Sequence, residues 1–227
     1  MKRDRLLVWM AAMPVMIAAL YRFGLPPLAD WLLDVHVFDL RPYYPLLMSI
    51  YVMTAPGLIG TVIGFLLLDE RDDRMLTALL VTPVPDVEYL AYRLAIPLAS
   101  GFIVTIVGFH LIGLVPVPLF DLTAVSLLAS FNAPITALAL AGFAENKVTG
   151  FALVKILNAI TMIPVVAFFV ASDWQIVAGL VPTYWPMKMF WLAASGEGYL
   201  SYGFAGLAVN AVAAAMLLKR FHTVMHR

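Results

Sequence analysis

Residues 43–68 read YYPLLMSIYVMTAPGLIGTVIGFLLL and are followed at once by DERDDR over 69–74. An α-helix needs about 20 consecutive apolar residues to cross roughly 30 Å of hydrocarbon, and this uncharged run is longer than that. The abrupt change to mixed charge marks where the chain returns to water. Working outward, comparable apolar runs over 6–21, 94–115, 122–144, 151–171 and 202–218 predict about six membrane-spanning helices, the first being the shortest. The alternating ten-residue pattern of an outer-membrane barrel is absent. The fold expected is therefore an all-α integral membrane bundle.

Composition agrees: 63% of residues are apolar, 12% are charged, and mean hydropathy is +0.94. A soluble domain needs far less apolar surface to fill its core. Net charge is zero, so no overall field points to nucleic acid or to an acidic partner. Cysteine is absent, which excludes disulfides, thiolate metal sites and cysteine nucleophiles. Met1-Lys2-Arg3-Asp4-Arg5 could open a signal peptide, but no small-residue cleavage pattern follows before Pro14 and Tyr21-Arg22, so the first helix is expected to be retained.

Orientation follows from Lys and Arg in the flanks. Lys2, Arg3, Arg5, Arg71, Arg74, Arg93, Lys147, Lys155, Lys219, Arg220 and Arg227 fall on one side of a six-span arrangement, and only Arg22, Arg41 and Lys188 on the other. This bias predicts that both termini are cytoplasmic. On the outer side, residues 24–42 mix Asp30, Asp34 and Asp39 with Trp31, Leu32, Leu33 and Phe38, which suits a short helix lying in the interface. Residues 172–201 carry Trp174, Tyr184, Trp185, Trp191 and Tyr199, and are expected to anchor at the headgroups. No linker, repeat or low-complexity tract divides the chain, so residues 1–227 are read as one transmembrane domain.

The longest inner connection, residues 69–93, is too small for a nucleotide-binding domain and is the most informative stretch. Asp72 or Asp73 can cap a short helix that Pro83 stops. Met75, Leu76, Leu79 and Leu80 share one face of it, giving an amphipathic helix on the cytoplasmic surface. Such a face must be buried against lipid or protein. A cap on the bundle and a docking element for a soluble partner satisfy that need equally.

The run Asp69-Glu70-Arg71-Asp72-Asp73-Arg74-Met75-Leu76-Thr77-Ala78-Leu79-Leu80-Val81-Thr82-Pro83, with Tyr89-Leu90 after it, resembles the inner loop of ABC-2 type permeases. The likeness extends to Pro14, the turn Glu145-Asn146-Lys147-Val148-Thr149-Gly150, Pro164, and Leu180-Val181-Pro182-Thr183-Tyr184-Trp185-Pro186 before the last span. The resemblance implies that Glu70, Arg71, Arg74, Met75, Leu76, Thr77, Leu79, Leu80, Thr82 and Pro83 form the coupling helix that docks on an ATPase subunit. It further implies a second permease, identical or related, a bacterial plasma membrane, and export of a hydrophobic or amphipathic substrate, with drug efflux preferred. Two departures stand out. The family's Gly-Thr-Leu appears here as Arg74-Met75-Leu76, and the connection after the first span is too brief for a large outer domain.

No G-x-x-x-x-G-K-[ST] is present and no lysine follows a glycine, so this chain cannot cradle ATP phosphates in the P-loop manner. ATP and Mg would belong to the partner, and no catalytic, metal or cofactor residue is assigned. H-E-x-x-H and G-x-S-x-G are also absent. Within the spans, Ser49, Thr54, Asn132, Asn158, Thr161 and His110 are candidate translocation-path residues, because polar groups and proline breaks at membrane depth can line a polar route. Each is individually as well explained by packing. Lys155 is placed to snorkel to the inner surface, and Glu145 with Lys147 suits a solvated pair. Two other readings remain: a proton-coupled secondary transporter using His110 or Glu145, and a non-transporting scaffold whose inner helix recruits a partner.

Overall fold

The computed structural model describes residues 3–72, 86–170 and 172–225, and all regular structure among them is helical. The helices are α1 (Arg3–His36), α2 (Tyr44–Asp72), α3 (Asp86–Ile112), α4 (Leu119–Ser130), α5 (Asn132–Phe143), α6 (Lys147–Met162), α7 (Tyr184–Ser195) and α8 (Leu200–Met225). Short 3₁₀ segments stand at Arg41–Tyr43, Ile163–Phe169 and Asp173–Leu180. Six stretches are long and apolar enough to cross a bilayer: Val8–His36, Arg41–Arg71, Leu94–Ile112, Leu119–Phe143, Lys147–Phe169 and Leu200–Val224. The protein is thus a multi-pass membrane bundle, as its hydropathy predicts.

α2 is the hub, and its glycines explain why. A methyl group on Gly60 would meet the backbone of Ala133, with the Cα at 2.8 Å, and one on Gly64 would press Leu140 and the Ala137 Cα. Small residues four apart let two helix backbones approach closely, which drives association where lipid is as apolar as the side chains. α5 takes up this approach. Above it, Met48, Tyr51, Val52 and Met53 of α2 pack with Phe109, Leu122, Val125 and Phe190 in the main core.

The span predicted over 122–144 is kinked into α4 and α5. Pro134 supplies no N–H to the Ser130 carbonyl, and Phe131 N–H instead donates to Leu128 O at 3.3 Å, a tightened turn. Pro164 likewise ends α6 and converts the rest of that span into the 3₁₀ segment Ile163–Phe169.

Two segments differ from the sequence reading. Residues 24–36 do not form a separate interfacial helix but continue α1 through Pro14, Pro26 and Pro27. A helix satisfies its backbone groups within a single segment, and here this outweighs the helix-breaking tendency of proline. The stretch 172–201 folds as a 3₁₀ segment and the packed helix α7. Trp174 is exposed, but Tyr184, Met187, Phe190 and Trp191 of α7 are buried in the bundle. A segment with apolar groups around most of its circumference belongs inside. Gly196, at φ +72°, ends α7 in the left-handed conformation that glycine adopts without strain.

Candidate functional site

The informative inner loop leaves the bundle at the end of α2, where three connections converge. Arg71 Nη1 donates to Ala141 O at 3.2 Å, and Nη2 donates to Ala144 O at 2.7 Å and Glu145 O at 2.8 Å. The last carbonyls of a helix have no intrahelical donor and form the negative end of its dipole, so a guanidinium fork is well matched to the end of α5. Two residues earlier on α2, Asp69 receives Lys147 Nζ at 2.8 Å, an ion pair that is roughly three-quarters shielded from solvent. Lys147 opens α6, so the pair that places it beside Asp69 also sets the position of that helix.

The start of α6 is itself built as a closed cap. Asn146 Oδ1 accepts from Val148 N at 3.0 Å and Thr149 N at 3.1 Å, while Thr149 Oγ1 accepts from the Asn146 N–H at 3.1 Å. These reciprocal bonds satisfy the orphan donors of the first turn. Gly150 then lets Phe65 of α2 approach to within 2.8 Å of where a Cβ would stand. The end of α2, the α5–α6 turn and the base of α6 therefore form one braced unit.

Of the predicted coupling residues, Glu70 and Arg71 lie in the last turns of α2. Arg74, Met75, Leu76, Thr77, Leu79, Leu80, Thr82 and Pro83 lie outside the described residues.

The predicted path residues separate into three places. Asn132 is buried at the α4–α5 kink, and its Nδ2 donates to Met53 O at 2.9 Å, beside Gly57. Ser49 is buried and donates to Leu46 O within its own helix, and Thr54 is half-buried on α2. His110, near the end of α3, is exposed and its Nδ1 lies 3.0 Å from Ile106 O of the same helix. Asn158 is exposed on α6 together with Lys155, and the Thr161 carbonyl accepts the Thr183 hydroxyl at 3.3 Å. Within α6 only Gly150 is buried; Phe151 meets Phe65 with ring centroids 4.6 Å apart, Leu153 and Val154 pack against Phe65, Leu68 and Ala144, and Ile156, Asn158, Ala159 and Ile160 are exposed. Lys155 stands eight positions beyond Lys147, about 12 Å along the axis at 1.5 Å per residue, with no ion pair among the described residues. A lysine exposed on an apolar span is costly in lipid alone.

At the opposite end, Tyr199 Oη donates to Asp121 Oδ1 at 2.6 Å, tying the α7–α8 connection to the first turn of α4. Burial, with this bond to a carboxylate, pushes the Tyr199 phenol up to about 12. Arg22 Nη1 of α1 caps the end of α3 through Leu111 O at 2.8 Å.

Sequence reasoning missed the Gly60/Gly64 approach, although the four-residue spacing was readable, and missed Arg71 as a carbonyl clamp. Nothing in a dense charged hexapeptide marks Arg71 as an arginine that turns inward.

Known proteins give the same reading of the chain. Two fluoroquinolones export permease proteins from Mycobacterium tuberculosis, from strains CDC 1551 / Oshkosh and ATCC 25618 / H37Rv, are each 31% identical over 222 residues, covering 96% of this chain and 88% of theirs. No solved structure matches the chain. The family model described as fluoroquinolones export permease protein Rv2686c-like matches residues 1–218, and on this extent of likeness, together with the six apolar spans, the chain belongs to the Rv2686c-like family of export permeases.

Proposed function

We propose that this chain, as a single transmembrane domain over residues 1–227, is the membrane-spanning subunit of an ATP-driven ABC-2 type exporter. It works beside a second permease and is powered by separate ATPase subunits that bind ATP and Mg, in a bacterial plasma membrane with both termini inside. The observation that carries this reading is the braced junction at the root of the 73–85 segment. A force applied to that segment reaches α2 at once, and through Arg71 and the Asp69–Lys147 pair it reaches the base of α6. α6 packs on α2 near its base and exposes most of its remaining surface, so its far end is free to follow. Its exposed Lys155 and Asn158 support a partner permease or a polar route on that face. The names of the mycobacterial relatives support a fluoroquinolone-like amphiphile as substrate.

The test is ATP hydrolysis and drug uptake in inverted proteoliposomes containing this chain and its cognate ATPase, against the double variant Leu79→Asp/Leu80→Asp. Stimulated hydrolysis with the native chain, lost in a double variant that keeps its helical circular dichroism, is the expected result. An ATPase that neither binds nor responds to the native chain refutes the proposal, and proton-driven uptake lost with His110→Ala would then replace it.

A further inference from the structure

At the end of the bundle remote from Asp69, a cavity of about 290 Å³ opens between the 3₁₀ segments and α7. Ligand sites for drug-sized molecules begin at roughly 300 Å³, so the volume suits one compact ligand. Its lining is unlike the lipid-facing surface. Lys188, Trp191, Leu192 and Ser195 line it from α7 at spacings of three, four and seven, which places them on one helix face. Phe168 lies edge-on to Trp191, with ring centroids 5.2 Å apart, and together they wall one side with aromatic surface. The Trp191 indole N–H is buried and finds no acceptor among the described residues.

The charges sit at the two ends of this stripe. Lys188 rests over the Tyr202 ring at 5.8 Å and makes no ion pair among the described residues. Glu197 lies just past the C-terminal end of α7, with its backbone N–H on Leu192 O at 2.8 Å. The carbonyls that end a helix already carry partial negative charge, so a carboxylate beside them leaves a place that favours a cation. From Lys188 to Ser195 the helix rises about 10 Å at 1.5 Å per residue. The face thus offers a cation, an aromatic wall and an anion in sequence.

Resting on the exporter reading above, we propose that this cavity is an outer binding site for a zwitterionic aromatic amphiphile. Lys188 takes the ligand's carboxylate, Phe168 and Trp191 pack on its ring system, and Glu197 takes its ammonium. Single-charge or neutral compounds satisfy only part of the site, and the unmatched charge discriminates against them.

The full chain in lipid nanodiscs is titrated against norfloxacin, its carboxyl methyl ester and its N-acetyl derivative, following the fluorescence anisotropy of the drug. Lys188→Gln is expected to raise the Kd for norfloxacin roughly tenfold and to leave that of the methyl ester unchanged, as removal of one charge-assisted contact implies. Glu197→Gln should do the same for norfloxacin and spare the N-acetyl derivative. Asp34→Asn, on α1, should alter none of the three. If both pocket variants bind all three compounds as the native chain does, the site assignment is overturned while the exporter reading stands. If the native chain binds none of them, the site is overturned as well, and ATP-dependent uptake in proteoliposomes decides separately whether the chain exports.

Discussion

Replacing Gly60 with alanine adds a single methyl group, yet it should be among the most damaging small changes in the protein. The new Cβ would stand 2.8 Å from the Ala133 Cα and 2.9 Å from its carbonyl carbon, both backbone atoms that cannot rotate away. The Ala133 carbonyl oxygen would be closer still, and carbon atoms settle at about 3.5 Å or more, so α2 and α5 must part by at least about 0.7 Å there. Overpacking of this kind costs about 1–3 kcal/mol. The separation also strains the Asn132 bond to Met53 O, since Asn132 adjoins Ala133 while Met53 stands about two turns before Gly60 on α2. For a chain of this size each kcal/mol moves Tm by about 2–4 °C, so a fall of roughly 5 °C is expected. Differential scanning fluorimetry in a mild detergent measures it, with Gly198→Ala as the control, since nothing lies within 4 Å of a Cβ there. Gly57→Ala is a useful intermediate, because its methyl would meet the end of the Asn132 side chain rather than backbone. Equal melting temperatures for Gly60→Ala and Gly198→Ala would refute the argument that glycine spacing sets the α2–α5 distance.

Arg71→Gln should remove most of the clamp on Ala141, Ala144 and Glu145, at a cost of about 2 kcal/mol, and should uncouple ATP hydrolysis from uptake more than it lowers Tm. Arg71→Lys, which keeps the charge but loses the fork, should fall between the two in the same proteoliposome assay. The Tyr199 phenol has its folded value raised above its ordinary 10, so its stabilising contribution is complete below pH 10 and is lost as pH rises towards 12. Tyr199→Phe should be less stable than the native chain at pH 8, and its Tm should fall less steeply between pH 10 and 12. The chain contains no cysteine, so Ala159→Cys on the exposed side of α6 should form a disulfide-linked dimer on mild oxidation if a second copy packs there, whereas Gly150→Cys, facing Phe65, should not. Non-reducing electrophoresis reads both.

The spans were legible because a bilayer imposes a length and a polarity that few alternatives satisfy, and five of the six predicted runs overlap the observed spans with only end shifts. The first is the exception: residues 6–21 mark only the start of α1, since Gly24, Pro26 and Pro27 together look like a loop when neighbouring helices are unknown. α7 was hidden for a different reason. Trp and Tyr favour both the headgroup region and a tightly packed interior, and composition does not separate the two. The inner turn around Asn146 was visible as a motif, and its capping bonds explain the residues. The pairing of Asp69 with Lys147 was not, because it joins groups 78 positions apart and sequence offers several equally charged candidates on either side.

The 34 residues of α1 amount to about 51 Å of helix, against roughly 30 Å of hydrocarbon. A tilt absorbs some of the excess, but the helix is too long to be submerged, and Asp30 and Asp34 belong at its wet end. Asp30 is held there by Arg41 at 2.7 Å. The result is a mast whose far end is held by an ion pair and which carries Pro26 and Pro27 about one turn before Asp30. Membrane thickness therefore becomes a mechanical variable for this protein. In a thinner bilayer more of the mast stands free; in a thicker one it must straighten, and the lipid itself biases the angle at which α1 leans on α2 and α3.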